Sequence, residues 1–175
     1  MQSKDVIHSF WIPRLHGKVD MIPGIVNRIR IQADTAGVYR GECAEYCGPQ
    51  HAHMVLLVVA QTPDEYRTWV DAQARPAAEP PDAQAVEGRR VFLGRQCVVC
   101  HTIRGTEARG LVGPDLTHAG SRRGIAANLL PNDTASVSTW VAHAQSVKPY
   151  ARMPDMTGLT ASDVRAVAAY LLALQ

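Results

Sequence analysis

Cys97-Val98-Val99-Cys100-His101 is the most informative stretch of this chain. It places two thiols three positions apart and an imidazole directly after the second thiol. This is the C-x-x-C-H spacing, in which both thiols add to the vinyl groups of a haem and the histidine reaches the iron from the same side. The motif therefore predicts covalent haem attachment through Cys97 and Cys100, with His101 as an axial iron ligand.

Two other uses of this cysteine pair are less consistent with the surrounding sequence. A zinc site would need two more soft ligands at close spacing, and residues 84–175 contain no other cysteine. A thioredoxin-like redox pair would need a βαβ context. The apolar spacing here is helical instead: Asp133 is a candidate cap for a helix over 134–147, and Thr160 opens a capping-box-like start for a helix running to Leu174. We therefore predict an all-α second half.

The far face of the haem needs a second axial ligand, for which methionine and histidine are suited. The segment from Lys148 to Pro154 resembles the axial-methionine loop of class I cytochromes c, and the segment from Gly113 to Leu116 resembles their proline loop. Over residues 84–175, this resemblance implies Met153 as the sixth ligand and the Pro114 carbonyl as the group that holds the iron-bound imidazole. A thioether ligand raises the iron potential, which suits electron transfer. The other candidates are Met156, the second choice, and His118 and His143.

The other cysteine pair lies in Cys43-Ala44-Glu45-Tyr46-Cys47-Gly48-Pro49-Gln50-His51-Ala52-His53-Met54. Thiolate, imidazole and thioether ligands together select copper over hard cations. A mononuclear blue copper site uses one cysteine, so a second thiolate four residues on favours two coppers bridged by both sulfurs. Each copper then needs one histidine: His51 supplies one, and His8 is the best candidate for the other. A Cys43–Cys47 disulfide and a zinc site of two cysteines and two histidines remain alternatives.

The segment from Val6 to Ala60 resembles the dinuclear copper (CuA) domain of cytochrome c oxidase subunit II. The resemblance is carried by Asp5-Val6-Ile7-His8-Ser9-Phe10, by Asp20-Met21-Ile22-Pro23-Gly24 and by the G-x-C-x-E-x-C-G-x-x-H-x-x-M loop. It implies that His8 and His51 bind one copper each, that Cys43 and Cys47 bridge them, and that Met54 is a weak ligand. It also implies a ligand role for the Glu45 backbone carbonyl, and a magnesium bound by the Glu45 carboxylate at the interface with subunit I.

The fold predicted for this half is a β cupredoxin-like sandwich that is incomplete at its N-terminus. The family has membrane helices and several strands ahead of the His8 motif, and this sequence begins without them. About 60 residues rarely form a stable sandwich alone. Turn signals separate short strands, and Thr62-Pro63 with Glu65 predicts a helix to about Ala74. The predicted strands are Val6–Pro13, Val19–Ile22, Val26–Ala33, Val38–Gly41 and Met54–Ala60.

Prolines at positions 76, 80 and 81 mark a semi-extended linker. The predicted domains are therefore a copper domain with its terminal helix over residues 1–75, a linker over 76–83 and a cytochrome c domain over 84–175. Residues 1–83 carry 8 Lys and Arg against 10 Asp and Glu, while residues 84–175 carry 10 against 6. The overall net charge of +2 is too small to indicate a nucleic-acid partner. We find neither a signal peptide nor a membrane-spanning apolar run.

These features together are typical of subunit II of a caa-type cytochrome c oxidase. We expect a chain that carries electrons without making bonds itself, as part of an oxygen-reducing, proton-translocating enzyme. The expected path runs from a donor such as a cytochrome c, through haem c and dinuclear copper, to the haem of subunit I. Subunit I or the missing N-terminal helices would hold the chain at the periplasmic face of the membrane. The alternatives are an electron-entry subunit of a nitric-oxide or nitrous-oxide reductase and a copper assembly or sensor module.

Overall fold

The computed structural model describes all residues from Met1 to Gln175, and they cluster into two compact units. The first unit comprises Met1–Val70 with Ala127–Leu129, and the second comprises Asp71–Ala126 with Leu130–Gln175. The domain boundaries after residues 75 and 83 stay a prediction. None of the helices is both long enough and apolar enough to cross a membrane.

The first unit is built on one antiparallel sheet of four strands in the order β2-β1-β3-β4. Four of the five predicted strands are present. In β3, Tyr39, Gly41 and Cys43 are buried while the two residues between them are not, which is the period of two expected for a strand with one covered face. The strands are β1 (His8–Trp11), β2 (Val19–Met21), β3 (Gly37–Cys43) and β4 (Val55–Ala60).

The predicted strand over Val26–Ala33 is wrong, because these residues join no sheet. Alternating apolar residues describe one face of a strand, but a strand also needs a neighbouring backbone for its hydrogen bonds. Asn27 bonds elsewhere: its backbone N–H donates to the Met1 carbonyl at 2.9 Å and its side-chain amide to the Asp20 carbonyl at 2.6 Å. Val26 is 64% exposed.

Helix α1 (Pro63–Ala74) follows β4 and begins where the sequence predicts. Glu65 Oε2 accepts a hydrogen bond from the Thr62 backbone N–H at 2.9 Å, and Thr62 Oγ1 accepts one from the Glu65 N–H at 3.4 Å. This reciprocal pair is a capping box. The predicted start at Thr62 is therefore confirmed.

The second unit is helical, as predicted, with one addition. Two short strands, β5 (Gly124–Ile125) and β6 (Leu130–Pro131), pair with each other inside a long loop. Helix α6 starts at the predicted capping box, in which Thr160 and Asp163 bond reciprocally. The helices are α2 (Ala83–Leu93), α3 (Cys97–Cys100), α4 (Thr134–Ala142), α5 (Ala144–Val147) and α6 (Ala161–Ala173).

The predicted helix over 134–147 is interrupted at His143, which has non-helical dihedrals of φ −136° and ψ 48°. Its start is as predicted, since the Asp133 side chain accepts a hydrogen bond from the Ser136 N–H at 2.7 Å. A hydrogen bond to a residue outside the helix explains the interruption. The Gln145 backbone N–H donates to Asp155 Oδ1 at 2.8 Å, which replaces the bond to the preceding turn that a continuous helix would require.

Helices α2 and α6 pack together at the centre of the second unit, and Gly88 sets their separation. A Cβ atom at position 88 would lie 1.9 Å from the Ala166 carbonyl oxygen and 2.8 Å from Tyr170 Cβ. The two backbones are therefore in direct contact. Around this crossing, Phe92 and Tyr170 pack edge to face with ring centroids 6.0 Å apart, inside a core that includes Val91, Ile103, Val137 and Val167.

Replacing Gly88 by alanine should destabilise the second unit. Alanine favours a helix over glycine by ~1 kcal/mol, but here the added methyl group must push two helix backbones apart at a cost of ~3 kcal/mol, so we expect a net loss of ~2 kcal/mol in the free energy of unfolding. Urea unfolding of the haem-loaded chain, followed by far-UV circular dichroism, measures this loss. Gln84→Ala, on the exposed side of α2, is the control and should change stability by no more than about 0.5 kcal/mol. Equal stability of the two variants would contradict the backbone contact.

Candidate metal and haem sites

The sheet of the first unit brings the segments around Cys43 and His8 together. Cys43 ends β3 and pairs with Phe10 of β1, two residues after His8. The loop after Cys43 is fixed at both ends: the Ala44 N–H donates to the Ser9 carbonyl at 3.0 Å, and the Cys43 N–H donates to the Met54 carbonyl at 3.1 Å. The ligand-rich segment of residues 43–54 is thus a closed loop that joins β3 to β4 at one end of the sheet.

Four of the predicted copper ligands converge here, three from this loop and His8 from β1. The two sulfurs, Cys43 Sγ and Cys47 Sγ, are 3.8 Å apart. Each sulfur has an imidazole beside it, with His8 Nδ1 3.8 Å from Cys43 Sγ and His51 Nδ1 3.7 Å from Cys47 Sγ. The Cys43 thiol also lies 3.2 Å from the Glu45 backbone carbonyl. The sequence assigns one of these histidines to each of two coppers, and the structure places one imidazole beside each sulfur.

The two thiols differ in acidity. Burial disfavours the thiolate of Cys43, but hydrogen bonds with the backbone of Glu45 and Ser9 and with the two imidazoles outweigh it and lower its pKa to about 6. Burial raises the pKa of Cys47 to about 11, and the neighbouring Cys43 sulfur contributes in the same direction. Without metal, two thiolates this close repel each other, so a bound cation is needed to ionise both.

The donor set of this loop fits copper. Both cysteines are free thiols, and their separation exceeds the length of a disulfide bond. Sulfur and imidazole are soft or borderline ligands that favour copper over hard cations. Met54, the last residue of the loop, is half-buried, and its carbonyl accepts the hydrogen bond from Cys43 that closes the loop. His53 is exposed, and its Nδ1 lies 3.2 Å from Gln50 Oε1.

In the second unit, Cys97 and Cys100 lie at the two ends of the single turn α3, and His101 follows in an extended conformation. The His101 backbone N–H donates to the Cys97 carbonyl at 2.9 Å. The His101 side chain donates from Nδ1–H to the Pro114 carbonyl at 2.8 Å. Because a carbonyl only accepts, Nε2 carries the free lone pair and is available to an iron. Pro114 occupies the position that the resemblance to class I cytochromes c implies.

Gly113 lets the chain pass directly over the His101 ring. A Cβ at position 113 would lie 2.6 Å from His101 Cε1 and 2.8 Å from Nδ1, closer than any side chain allows. The Gly113 N–H donates to the Cys100 carbonyl at 2.7 Å, which fixes this passage. Sequence reasoning included Gly113 only as part of the proline loop, because close approach to a ring is not visible in a sequence.

The surroundings of α3 fit a large apolar group. Apolar side chains next to the motif are exposed to an unusual degree, including Val99 at 66%, Leu111 at 90% and Val112 at 67%. Burial raises the pKa of Cys97, so this sulfur lies in apolar surroundings. A haem attached at both cysteines would offer these side chains an apolar surface.

The candidates for the sixth iron ligand differ in their surroundings. Met153 and Met156 are partly buried at the edge of the core cluster. His118 is buried, and its Nε2 lies 3.1 Å from the Arg104 guanidinium and 3.2 Å from the Arg75 carbonyl. His143 is exposed at the interruption between α4 and α5. The two methionines therefore remain the better candidates, and Met153 as the ligand stays a prediction.

Gln145 is a residue that the sequence reasoning missed. Its side-chain amide donates to the carbonyls of Ala151 and Met153, both at 2.6 Å. Together with the bond from its backbone to Asp155, this amide holds the methionine loop against α5. A glutamine in a helix has no sequence signal for such a contact, because the partner atoms belong to the backbone of another segment.

Two family profiles match the chain. Residues 1–61 match the periplasmic domain of cytochrome c oxidase subunit II, and residues 85–175, more than half of the chain, match cytochrome c. The chain belongs to the cytochrome c family, and its first 61 residues match the subunit II periplasmic domain. Its second half is thus a cytochrome c domain, which implies haem, and its first half is a cupredoxin-like subunit II domain, which implies copper and an extracytoplasmic location. The predicted order of a β domain followed by a helical cytochrome domain is confirmed.

Two relatives match this chain across both of its domains. Cytochrome c oxidase subunit 2 of Alkalihalophilus pseudofirmus is 39% identical over 175 residues, which are 100% of this chain and 50% of that protein. The corresponding subunit of Bacillus sp. strain PS3 is 32% identical over 99% of this chain and 51% of its own length. The chain therefore spans about half the length of the curated relatives it matches.

Among solved structures, the periplasmic domain of cytochrome oxidase subunit II of Bradyrhizobium japonicum is 35% identical, covering 41% of this chain and 51% of that one at a TM-score of 0.40. A c-type cytochrome of Sinorhizobium meliloti is 31% identical, covering 52% and 90% at a TM-score of 0.38. The family membership of the two domains rests on the sequence profiles, since TM-scores this low add no information on the fold.

Replacing Gly113 by alanine should disturb the haem ligation by His101. The added methyl group would overlap the imidazole ring, so the ring must tilt or the loop must move, at a cost of ~1–3 kcal/mol. We expect a larger high-spin fraction in the optical spectrum of the haem-loaded chain. Gly158→Ala is the control, because no atom lies within 4 Å of its added Cβ. If both variants kept the wild-type spectrum, Gly113 would have no part in placing the ring.

Proposed function

We propose that this chain is the electron-transfer part of subunit II of a caa-type cytochrome c oxidase. In this role it passes electrons from a donor protein, through a haem on the cytochrome domain and a dinuclear copper centre on the subunit II domain, to the haem of subunit I. The chain itself makes and breaks no bonds of a substrate. Oxygen reduction and proton translocation belong to the partner subunits.

The observation that carries this proposal is that one chain contains both a thiol and imidazole site that fits copper and a motif that attaches haem. One has two sulfurs 3.8 Å apart with an imidazole next to each, and the other has a C-x-x-C-H turn whose imidazole is held by a backbone carbonyl. A copper sensor needs no haem and a simple cytochrome needs no copper. Relatives named as oxidase subunit 2 match this chain along its whole length.

We assign the ligands as the sequence predicts. Each group of residues is fixed mainly by backbone hydrogen bonds, which limits how far the ligands move when the charge of the site changes. When bound, haem and dinuclear copper each take up and release one electron at a time. The copper ligands are His8, His51, Cys43, Cys47, Met54 and the Glu45 carbonyl. Cys97 and Cys100 attach the haem covalently, and His101 and Met153 are its axial iron ligands, with Pro114 holding the His101 ring.

Partners and membrane attachment follow from the same proposal. The Glu45 carboxylate would bind magnesium together with groups of subunit I. Other oxidase subunits and a cytochrome c-like donor complete the path, at the periplasmic face of the membrane. No contact in this structure favours a nitric-oxide or nitrous-oxide reductase, and co-purification with a subunit that reduces oxygen would distinguish the oxidase from both.

Replacing His51 by alanine should abolish the dinuclear copper signal. The oxidised wild-type chain, loaded with copper and haem, should show an electron paramagnetic resonance hyperfine pattern from one electron shared by two coppers. His51→Ala should lose this pattern, and its copper affinity should fall at least about tenfold, because removing even a residue that only supports a ligand typically costs about 10–100-fold. His53→Ala, in the same loop, should keep both. A mononuclear copper spectrum in the wild-type chain would contradict the dinuclear assignment and favour the sensor alternative.

Electrons should move between the two sites within one molecule. If the haem is reduced by a light pulse in the fully oxidised loaded chain, the haem band should decay as the copper is reduced. The rate should be first order and independent of protein concentration, because donor and acceptor belong to the same chain. Exchange that slows in proportion to dilution would instead mean two separate redox domains without a shared path.

A further inference from the structure

The His8 imidazole is bonded on its outer side by a carboxylate. His8 Nε2 lies 2.9 Å from Asp5 Oδ1, while Nδ1 faces Cys43 Sγ at 3.8 Å. Asp5 is itself held, because the Ser3 hydroxyl donates to the same Oδ1 at 2.7 Å and accepts a hydrogen bond from the Asp5 N–H at 3.2 Å. Ser3 is 5% exposed and forms a bridge with Pro23. A continuous chain of contacts thus runs from Ser3 to the sulfur of Cys43.

The direction of each hydrogen bond in this chain is determined by chemistry. A carboxyl is ionised at neutral pH and then only accepts hydrogen bonds. The Asp5 oxygen lies 2.9 Å from Nε2, whereas the other acceptor, the Cys43 sulfur, lies 3.8 Å from Nδ1. The closer carboxylate therefore favours a neutral His8 ring with its proton on Nε2 and its lone pair on Nδ1, towards Cys43. In the opposite tautomer, the Nε2 lone pair would face the carboxylate and Nδ1–H would point at the position of a metal.

The two imidazoles beside the sulfurs differ in this respect. His51 has its Nδ1 3.7 Å from Cys47 Sγ, but its ring packs edge-on against Tyr46, with centroids 5.7 Å apart, and no carboxylate contacts it. Hydrogen bonding to a carboxylate makes an imidazole a stronger electron donor to a metal. His8 and His51 are therefore unequal ligands in an otherwise symmetric arrangement.

We propose that Asp5 is a positioning residue that selects the Nε2–H tautomer of His8, presents Nδ1 to the copper centre and makes His8 the stronger donor of the two histidines. Ser3 fixes the carboxylate for this purpose. The inference rests on the proposed copper function. It goes beyond that function because neither Ser3 nor Asp5 is a metal ligand.

The tautomer can be measured without copper. In the full chain labelled with ¹⁵N-histidine, at an alkaline pH where the imidazoles are neutral, the nitrogen shifts of His8 should show one dominant Nε2–H form. In Asp5→Asn the side-chain amide can either donate or accept, so the two forms should become comparably populated. Asp20→Asn removes the same charge from β2 of the same sheet and should leave His8 unchanged. Equal His8 shifts in all three proteins would overturn the proposal.

The copper-loaded chain gives a second readout. Loss of the carboxylate should weaken the donation by His8 and favour the reduced centre, by about tenfold in the ratio of reduced to oxidised at a fixed potential, or ~59 mV for one electron. The nitrogen coupling of His8 should fall while that of His51 stays the same. Ser3→Ala should shift the potential in the same direction by a smaller amount, and Asp20→Asn should not shift it.

These measurements separate the inference from the function on which it rests. A wild-type chain that takes up no copper would refute the proposed function, while the nitrogen shifts would still decide the role of Asp5. A normal dinuclear centre whose potential and His8 coupling were the same in Asp5→Asn and Asp20→Asn would refute the positioning role and leave the electron-transfer proposal intact.

Discussion

Hydrogen bonds to backbone carbonyls close the ligand loops of both units, and the sites depend on this constraint. In the first unit the Cys43 N–H donates to the Met54 carbonyl, so the two ends of a twelve-residue ligand segment meet where β3 ends. In the second, His101 Nδ1–H donates to the Pro114 carbonyl and thereby orients the ring. A loop fixed in this way has little conformational entropy left to lose when a metal or haem binds.

The electrostatics of the sulfur pair follow from the same closure. Bringing Cys43 and Cys47 to 3.8 Å places the first thiolate where it opposes ionisation of the second. The imidazoles of His8 and His51 contribute to the lowered pKa of Cys43. The site is thus arranged to bind a cation. The positive charge of that cation would compensate the repulsion between the two thiolates that the closed loop holds together.

Features that depend on neighbouring residues were predictable from the sequence. The capping boxes at Thr62 and Thr160, the Asp133 cap and the C-x-x-C-H turn all rest on spacing of one to four residues, and each has its expected form. The segment Val26–Ala33 was not predictable, because its alternation gives no information on whether a partner strand is present. Likewise, the interruption at His143 depends on Asp155, which captures the Gln145 N–H from another segment.

Most of the copper and haem ligands proposed from the sequence motifs also lie in suitable surroundings. Among the residues that support the ligands, Pro114 follows from a motif, but others do not. Gln145 donates to the Met153 carbonyl, and Ser3 donates to the Asp5 carboxylate. Gly113 has no side chain and so leaves room for the His101 ring. Such roles require coordinates, since the same residue types at the same spacing occur in many surface loops.

The contact between α2 and α6 also constrains how the second unit is made. Gly88 and Ala166 belong to helices that are far apart in the sequence of this unit but in contact in its fold. The core therefore cannot close until α6 has been synthesised. Cys97 and Cys100 are synthesised long before that point and stay on an open chain in the meantime. Until α6 docks against α2, both thiols therefore lie on an open segment that a haem can reach.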